Sequence, residues 1–109
     1  MIDEDGNVKL IDFGFSTIAP KGKLKLFCGT PSYMCPEIVK KKEYWGYAGD
    51  IWAVGVCLFT ILTGKFPFKS PIERELYRKI IKGNYFWTEG VSNSTKRIVD
   101  KMLNPDGSK

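Results

Sequence analysis

Histidine is absent from the 109 residues. That excludes imidazole metal sites and imidazole general bases within the chain. Cysteine is scarce: Cys28, Cys35 and Cys57 are the three, and no two stand at C-x-x-C spacing. Neither a disulfide framework nor a zinc site is expected, and a reducing, cytoplasmic (intracellular) setting is. No basic tract is long. The net charge of +5, from 17 Lys+Arg against 12 Asp+Glu, is scattered apart from short groups at Lys21/Lys23/Lys25 and Lys40-Lys41-Lys42. No nucleic-acid partner is therefore expected. The longest apolar run, Ile51 to Leu62, is broken by Gly55 and Thr60 and is shorter than the about twenty residues that cross a bilayer. It reads as a buried helix, and no membrane partner is expected. With no signal-peptide pattern, Asn93-Ser94-Thr95 reads as a helix start and not as a glycosylation acceptor.

What is there is an ordinary globular composition, 43% apolar and 27% charged, at a length that makes one small domain. Ile2 and Val8-Lys9-Leu10-Ile11 flank Asp5-Gly6, a hairpin signal in which both turn positions would take positive φ. The second strand would deliver Asp12. From Phe15 to about Tyr33 no helical or strand period persists, which predicts a long, functional loop. Pro36 to about Lys40 reads as a short helix.

The helix of Ile51–Leu62 is apolar nearly all round and is expected to want protein on every side, with Thr63-Gly64 as its end. Ser70-Pro71-Ile72-Glu73 reads as a capping box with Pro at the first helical position. The helix it starts carries the apolar stripe Ile72, Leu76 and Ile80. Ser92 or Ser94 is expected to cap a last helix with Ile98, Val99, Met102 and Leu103 inward, stopped near Asn104-Pro105. The fold class is mainly α with one short β-hairpin.

Asp12 is the one clear metal-site candidate. A carboxylate leaving a strand end into a glycine-containing turn can reach a hard cation such as Mg²⁺, which takes one or two carboxylates plus substrate phosphates. The bland alternative is a local hydrogen bond to the backbone.

Three segments stand in a fixed order: Asp12-Phe13-Gly14, then Gly29-Thr30-Pro31-Ser32-Tyr33-Met34-Cys35-Pro36-Glu37, then Asp50-Ile51-Trp52-Ala53-Val54-Gly55, which would open the apolar helix. With these the chain resembles the C-terminal lobe of a eukaryotic Ser/Thr protein kinase, in the branch of the calmodulin-dependent, AMP-activated and microtubule-affinity-regulating kinases. The resemblance implies a partial protein-kinase-like C-lobe (α+β). Its parts would be a hairpin and D-F-G segment over 1–14, an activation and substrate loop over 15–37, and a helical subdomain over 38–109.

It also implies ATP and Mg²⁺ as cofactors, with Asp12 holding the metal against the nucleotide phosphates. Phe13 would set the orientation of Asp12 by its packing, and Gly14 would supply backbone freedom. Thr30 would lie beside a Ser or Thr acceptor of a protein substrate, with Pro31 and Tyr33 shaping the neighbouring pocket. Glu37 would pair with a buried Arg, expected three positions after Pro105, where this chain has Ser108; Lys109, the nearest cation, cannot supply the bidentate fork of an Arg. Asp50 would accept backbone N–H bonds from the catalytic loop, with Trp52 and Gly55 as packing positions. Where that branch carries an activating phospho-Thr, this chain has Leu26, which closes the phosphate route to ordering the loop. Cys28, near Lys25, is a minor candidate for a reactive thiol.

The resemblance places the glycine-rich loop, the ATP-binding Lys, its Glu partner and the catalytic-loop Asp and Asn before Met1. The kinase N-lobe is thus an implied partner, and the chain alone is expected to be inactive. A non-catalytic, pseudokinase-like binding module is the alternative.

Overall fold

The computed structural model describes residues 1–18 and 22–106. A 3-10 turn at Pro31–Tyr33 leads into α1 (Pro36–Val39), α2 (Gly46–Thr63), α3 (Glu73–Lys82) and α4 (Asn93–Met102). The expected hairpin is present in its shortest form, one antiparallel bridge between Ile2 and Val8. Positive φ is taken by Gly6 (+83°) but not by Asp5, contrary to the two-residue turn expected. The cause is Asp3, whose carboxylate accepts from the N–H of Asp5 (3.0 Å) and of Asn7 (2.7 Å) and widens the turn. No strand forms over residues 9–18, so Asp12 follows an exposed segment and not a paired strand.

α2 begins at Gly46, where the Trp45 carbonyl accepts from Ala48 (3.0 Å) and Gly49 (3.1 Å), so Asp50 lies inside the helix and does not open it. The helix is therefore longer than its apolar run. At 18 residues and a mean hydropathy of 1.4 it meets the minimum for a membrane span by length and composition alone. Here it serves as the central helix of a packed domain. Trp52, Gly55, Val56 and Phe59 are buried against the rest of the chain. Its opposite face is open: Ile51 (48%), Val54 (46%) and Ile61 (79%) are exposed, so protein covers one side and not every side. Thr60 and Thr63 donate their hydroxyls to the Val56 and Phe59 carbonyls at 2.8 Å, which satisfies them within the helix. Gly64, in the left-handed conformation, ends α2 as expected.

α4 packs across α2 at Gly55, where a side-chain Cβ would stand 2.8 Å from Met102 Cβ and 3.0 Å from Leu103 Cδ2. The missing side chain is what lets the two helices meet. α4 starts as its sequence implies: Ser92 accepts from the Thr95 N–H at 3.3 Å. Val99 and Leu103 are buried and Met102 half-buried, but Ile98 is 56% exposed, because one i,i+4 line already fills the contact.

α3 departs from its expected start. Ser70 Oγ accepts from the Ile72 N–H (3.2 Å), a local turn that holds Ile72 extended at φ −105°, ψ 116°. The helix therefore begins at Glu73, Pro71 is outside it, and Ile72 stays 59% exposed while Leu76 and Ile80 are buried. α3 ends at Gly83, whose φ of +66° and contact with the Pro105 ring leave no room for a side chain. α1 packs on α3. It also straddles position 37, so the boundary drawn there between loop and helical subdomain falls inside a helix.

The aromatic residues knit these helices together. Trp52 stacks on Phe68 at 5.7 Å, and Phe59 meets Trp87 at 4.8 Å and Tyr85 at 5.4 Å. Tyr85 Oη and Trp87 Nε1 both donate to the Asp100 carboxylate, pinning the segment after α3 onto α4. Burial, joined by the Asp100 carboxylate, raises the Tyr85 phenol well above its ordinary range. No residue among 1–18 is buried. The radius of gyration, 14.5 Å, exceeds the about 13 Å of a compact domain of this length, as that outlying segment requires.

Candidate functional site

Asp12 sits at φ +62°, one of two described non-glycine residues at positive φ. Its Oδ1 accepts the Gly14 N–H at 3.0 Å. That is the local backbone bond the bland reading expects, and it uses one oxygen. The carboxylate is exposed and has no ion-pair partner among the described residues. The backbone freedom assigned to Gly14 is thus exercised at Asp12 itself. The packing expected of Phe13 is not found, since its ring is 69% exposed.

As a metal site, Asp12 offers a free hard oxygen donor, which fits one ligand of a Mg²⁺ shell completed by phosphates and water. No group of three or more metal-binding side chains exists among the described residues.

A cleft of about 510 Å³ lies between residues 15–17 and 24–30 and the start of α2. It brings Thr30, Tyr33 and Asp50 together with Cys28 and Tyr44; Asp12, Pro31 and Glu37 are not part of its wall. Thr30 caps the 3-10 turn through its carbonyl, which accepts from Tyr33 N at 3.0 Å, and its side chain makes no capping bond. The hydroxyl is therefore not spent on the turn. Asp50 is exposed, and its carboxylate makes no hydrogen bond or ion pair among the described residues.

Burial raises the Tyr44 phenol, with Cys28, Cys35 and Asp50 pushing the same way. Cys35 is buried at the start of α1, which pushes its thiol up to about 11 with help from the neighbouring Glu37 carboxylate. Glu37 has no cation within ion-pair distance among the described residues. Ser108 and Lys109, named for that role, lie outside the described residues.

The loop is anchored at a point not anticipated. Leu24 and Tyr44 exchange backbone hydrogen bonds of 2.7 and 3.0 Å as an antiparallel bridge, and Lys41 Nζ lies 5.3 Å from the Phe27 ring centre. Leu26, at 44% exposure, has no part in either contact. The alternation Lys23-Leu24-Lys25-Leu26 was the available signal, a two-residue strand period inside the supposed loop. Trp52, 3% exposed, has a ring N–H without a partner among the described residues.

The family model described as protein kinase domain matches residues 1–109. CBL-interacting protein kinase 5 of Oryza sativa subsp. japonica is 39% identical over 97% of this chain and 24% of its own length. Probable serine/threonine-protein kinase MARK-A of Dictyostelium discoideum is 39% identical over 100% of this chain and 10% of its own. CBL-interacting serine/threonine-protein kinase 15 of Arabidopsis thaliana is 36% identical over 97% and 26%. The chain thus spans about a quarter or less of these relatives.

Proposed function

Because the chain belongs to the protein kinase domain family, we propose that it is the C-lobe portion of a Ser/Thr kinase that moves the ATP γ-phosphoryl group to a protein Ser or Thr. The family generally uses ATP and Mg²⁺. The observation that carries the reading is the pairing of an exposed Asp12 carboxylate, half-engaged by Gly14, with a cleft that holds Thr30 and Asp50 uncommitted. Asp12 would be the metal's protein ligand, and the metal supplies neutralisation of the phosphate charge when bound. Thr30 would hold the acceptor side chain, Pro31 and Tyr33 would bound the adjacent substrate residue, and Asp50 would accept N–H bonds from the catalytic loop. Glu37, Trp52 and Gly55 keep that frame in place.

The family's general base and phosphate loop have no match within these residues, so the chain alone is inactive. A non-catalytic binding module is the second reading, favoured by Leu26, which carries no hydroxyl where the branch is phosphorylated. Against it, the Leu24–Tyr44 bridge and the Lys41–Phe27 contact tether the loop without phosphate.

The test joins this chain to the N-terminal half of a related kinase and measures transfer from Mg-ATP to Ser/Thr peptides. Asp12→Asn keeps the acceptor for Gly14 N–H but removes the charge, and is expected to lower kcat by about 10²–10³-fold at unchanged helical signal. Equal turnover by the variant would sink the assignment of Asp12. Transfer by the 109-residue chain alone would overturn its predicted inactivity.

A further inference from the structure

We propose that the lysine-lined cleft beside α3 binds an acidic peptide segment that carries an aromatic side chain. This cleft, about 470 Å³, shares no residue with the one beneath Thr30. Its lining includes Lys65 and Lys69 from the segment after α2 and Lys79 and Lys82 from α3. No Asp or Glu lines it, and none of the four ammonium groups has a carboxylate partner among the described residues. Four like charges around one concavity repel one another, and an anion placed among them relieves that repulsion. Lys79 is already fixed: its Nζ donates to the Lys69 carbonyl at 2.8 Å, tying α3 to the opposite rim.

The same lining is also aromatic, with Phe59, Phe66, Tyr85 and Phe86 in its wall. Phe86 is 90% exposed and makes no ring contact among the described residues, although it stands between Tyr85 and Trp87, which both pack. An exposed ring at the edge of a basic pocket suits a ligand with an apolar face and several carboxylates. The volume lies within the about 300–1,000 Å³ of pockets that enclose one compact ligand. A nucleic-acid strand would need a continuing basic track, and the remaining basic residues of the sequence are scattered. The cleft therefore favours a short acidic peptide over an oligonucleotide. This goes beyond the kinase reading and uses none of the residues that carry it.

The experiment is fluorescence anisotropy of a labelled Glu-Glu-Phe-Glu-Glu peptide against the 109-residue chain, with far-UV circular dichroism on every variant. Saturable binding is expected at low ionic strength, weakening as salt screens the lysines. Lys79→Gln/Lys82→Gln should weaken it about tenfold, as loss of two exposed charge contacts implies, and Phe86→Ala should weaken it further. Lys23→Gln/Lys25→Gln removes the same charge elsewhere and should leave it unchanged. Absence of saturable binding, equal loss in the two lysine pairs, or equal binding by the urea-unfolded chain overturns the proposal. So does equal affinity for Glu-Glu-Ala-Glu-Glu. Tighter binding through these lysines of single-stranded DNA or of phosphatidylserine vesicles overturns the choice of a peptide.

Discussion

Gly55→Ala sets two effects of similar size against each other on α2. Alanine is better than glycine in a helix interior by about 1 kcal/mol. The new methyl, however, would stand 2.8 Å from Met102 Cβ, where carbon atoms settle at about 3.5–4.0 Å, so α4 must retreat by roughly 0.7 Å or more. Met102 Cβ is bonded to the α4 backbone and cannot turn away as a side-chain tip can. Leu103, 1% exposed, would be pressed at Cδ2 and Cγ as well. Overpacking of this kind costs about 1–3 kcal/mol, so packing wins and the net loss is about 1 kcal/mol.

Gly46→Ala is the internal control. Its methyl would meet Leu24 alone, at Cδ1 (3.0 Å) and Cγ (3.9 Å), the outer part of a rotatable chain, and its effect should stay within about 0.5 kcal/mol. Urea titration followed by tryptophan fluorescence would read both as midpoint shifts at constant slope. A Gly55→Ala chain as stable as the parent would mean that α2 and α4 do not touch at this position.

Cys35 titrates near 11 when folded against an ordinary 9.0, so the folded state keeps a proton the unfolded chain releases. Stability should fall as pH rises from about 9 to 11, by up to on the order of 2 kcal/mol, and Cys35→Ala should flatten that slope in urea titrations run across the range; an unchanged slope would refute the burial argument. Lys41→Gly relieves the cost of a left-handed conformation, about 1–2 kcal/mol, and gives up a cation–π contact with Phe27 worth about 0.5–1 kcal/mol, so a small rise in melting temperature is expected and a fall would reverse the ranking. Ile61→Glu places a charge on the open face of α2, where the parent side chain is 79% exposed, and should reduce hydrophobic-dye binding and aggregation; dye binding at the parent level would show that this face is not what the dye reads.

The helices were legible where a side chain acts on its own neighbours. Ser92 caps α4, Gly64 closes α2, and the Leu76–Ile80 and Val99–Leu103 lines reach the core. Ser70 shows the limit. Its spacing to Glu73 matches a capping box, yet the hydroxyl takes the nearer Ile72 N–H, and two local bonds compete for one acceptor with no sequence rule to choose between them. Ile72 and Ile98 were placed inside because an apolar stripe was read as wholly buried. The chain supplies only one layer of partners, and the outer edge of each stripe remains in solvent. In the candidate site, Thr30 and Asp50 could be named from motif order, but Tyr44 could not. Its partner Leu24 is remote in sequence, and such a pairing has no local signature beyond two alternating lysines and leucines.

The two described non-glycine residues at positive φ differ in what holds them there. Lys41 is accounted for by the fold: its N–H bonds to the Ile38 carbonyl at 2.9 Å and that of Lys42 to the Glu37 carbonyl at 2.8 Å, the closing pattern of a helix end. Packing beyond α1 requires the turn, because it sends the chain back to pair Tyr44 with Leu24. Nothing comparable holds Asp12. It is exposed, its neighbour Phe13 is exposed, and its one bond is to Gly14 two residues on. Asp tolerates this region better than most residues, so the conformation costs little. It still has no structural beneficiary among the described residues. Asp12 is thus a left-handed residue that packing among the described residues does not explain, its carboxylate engaged by the Gly14 N–H alone.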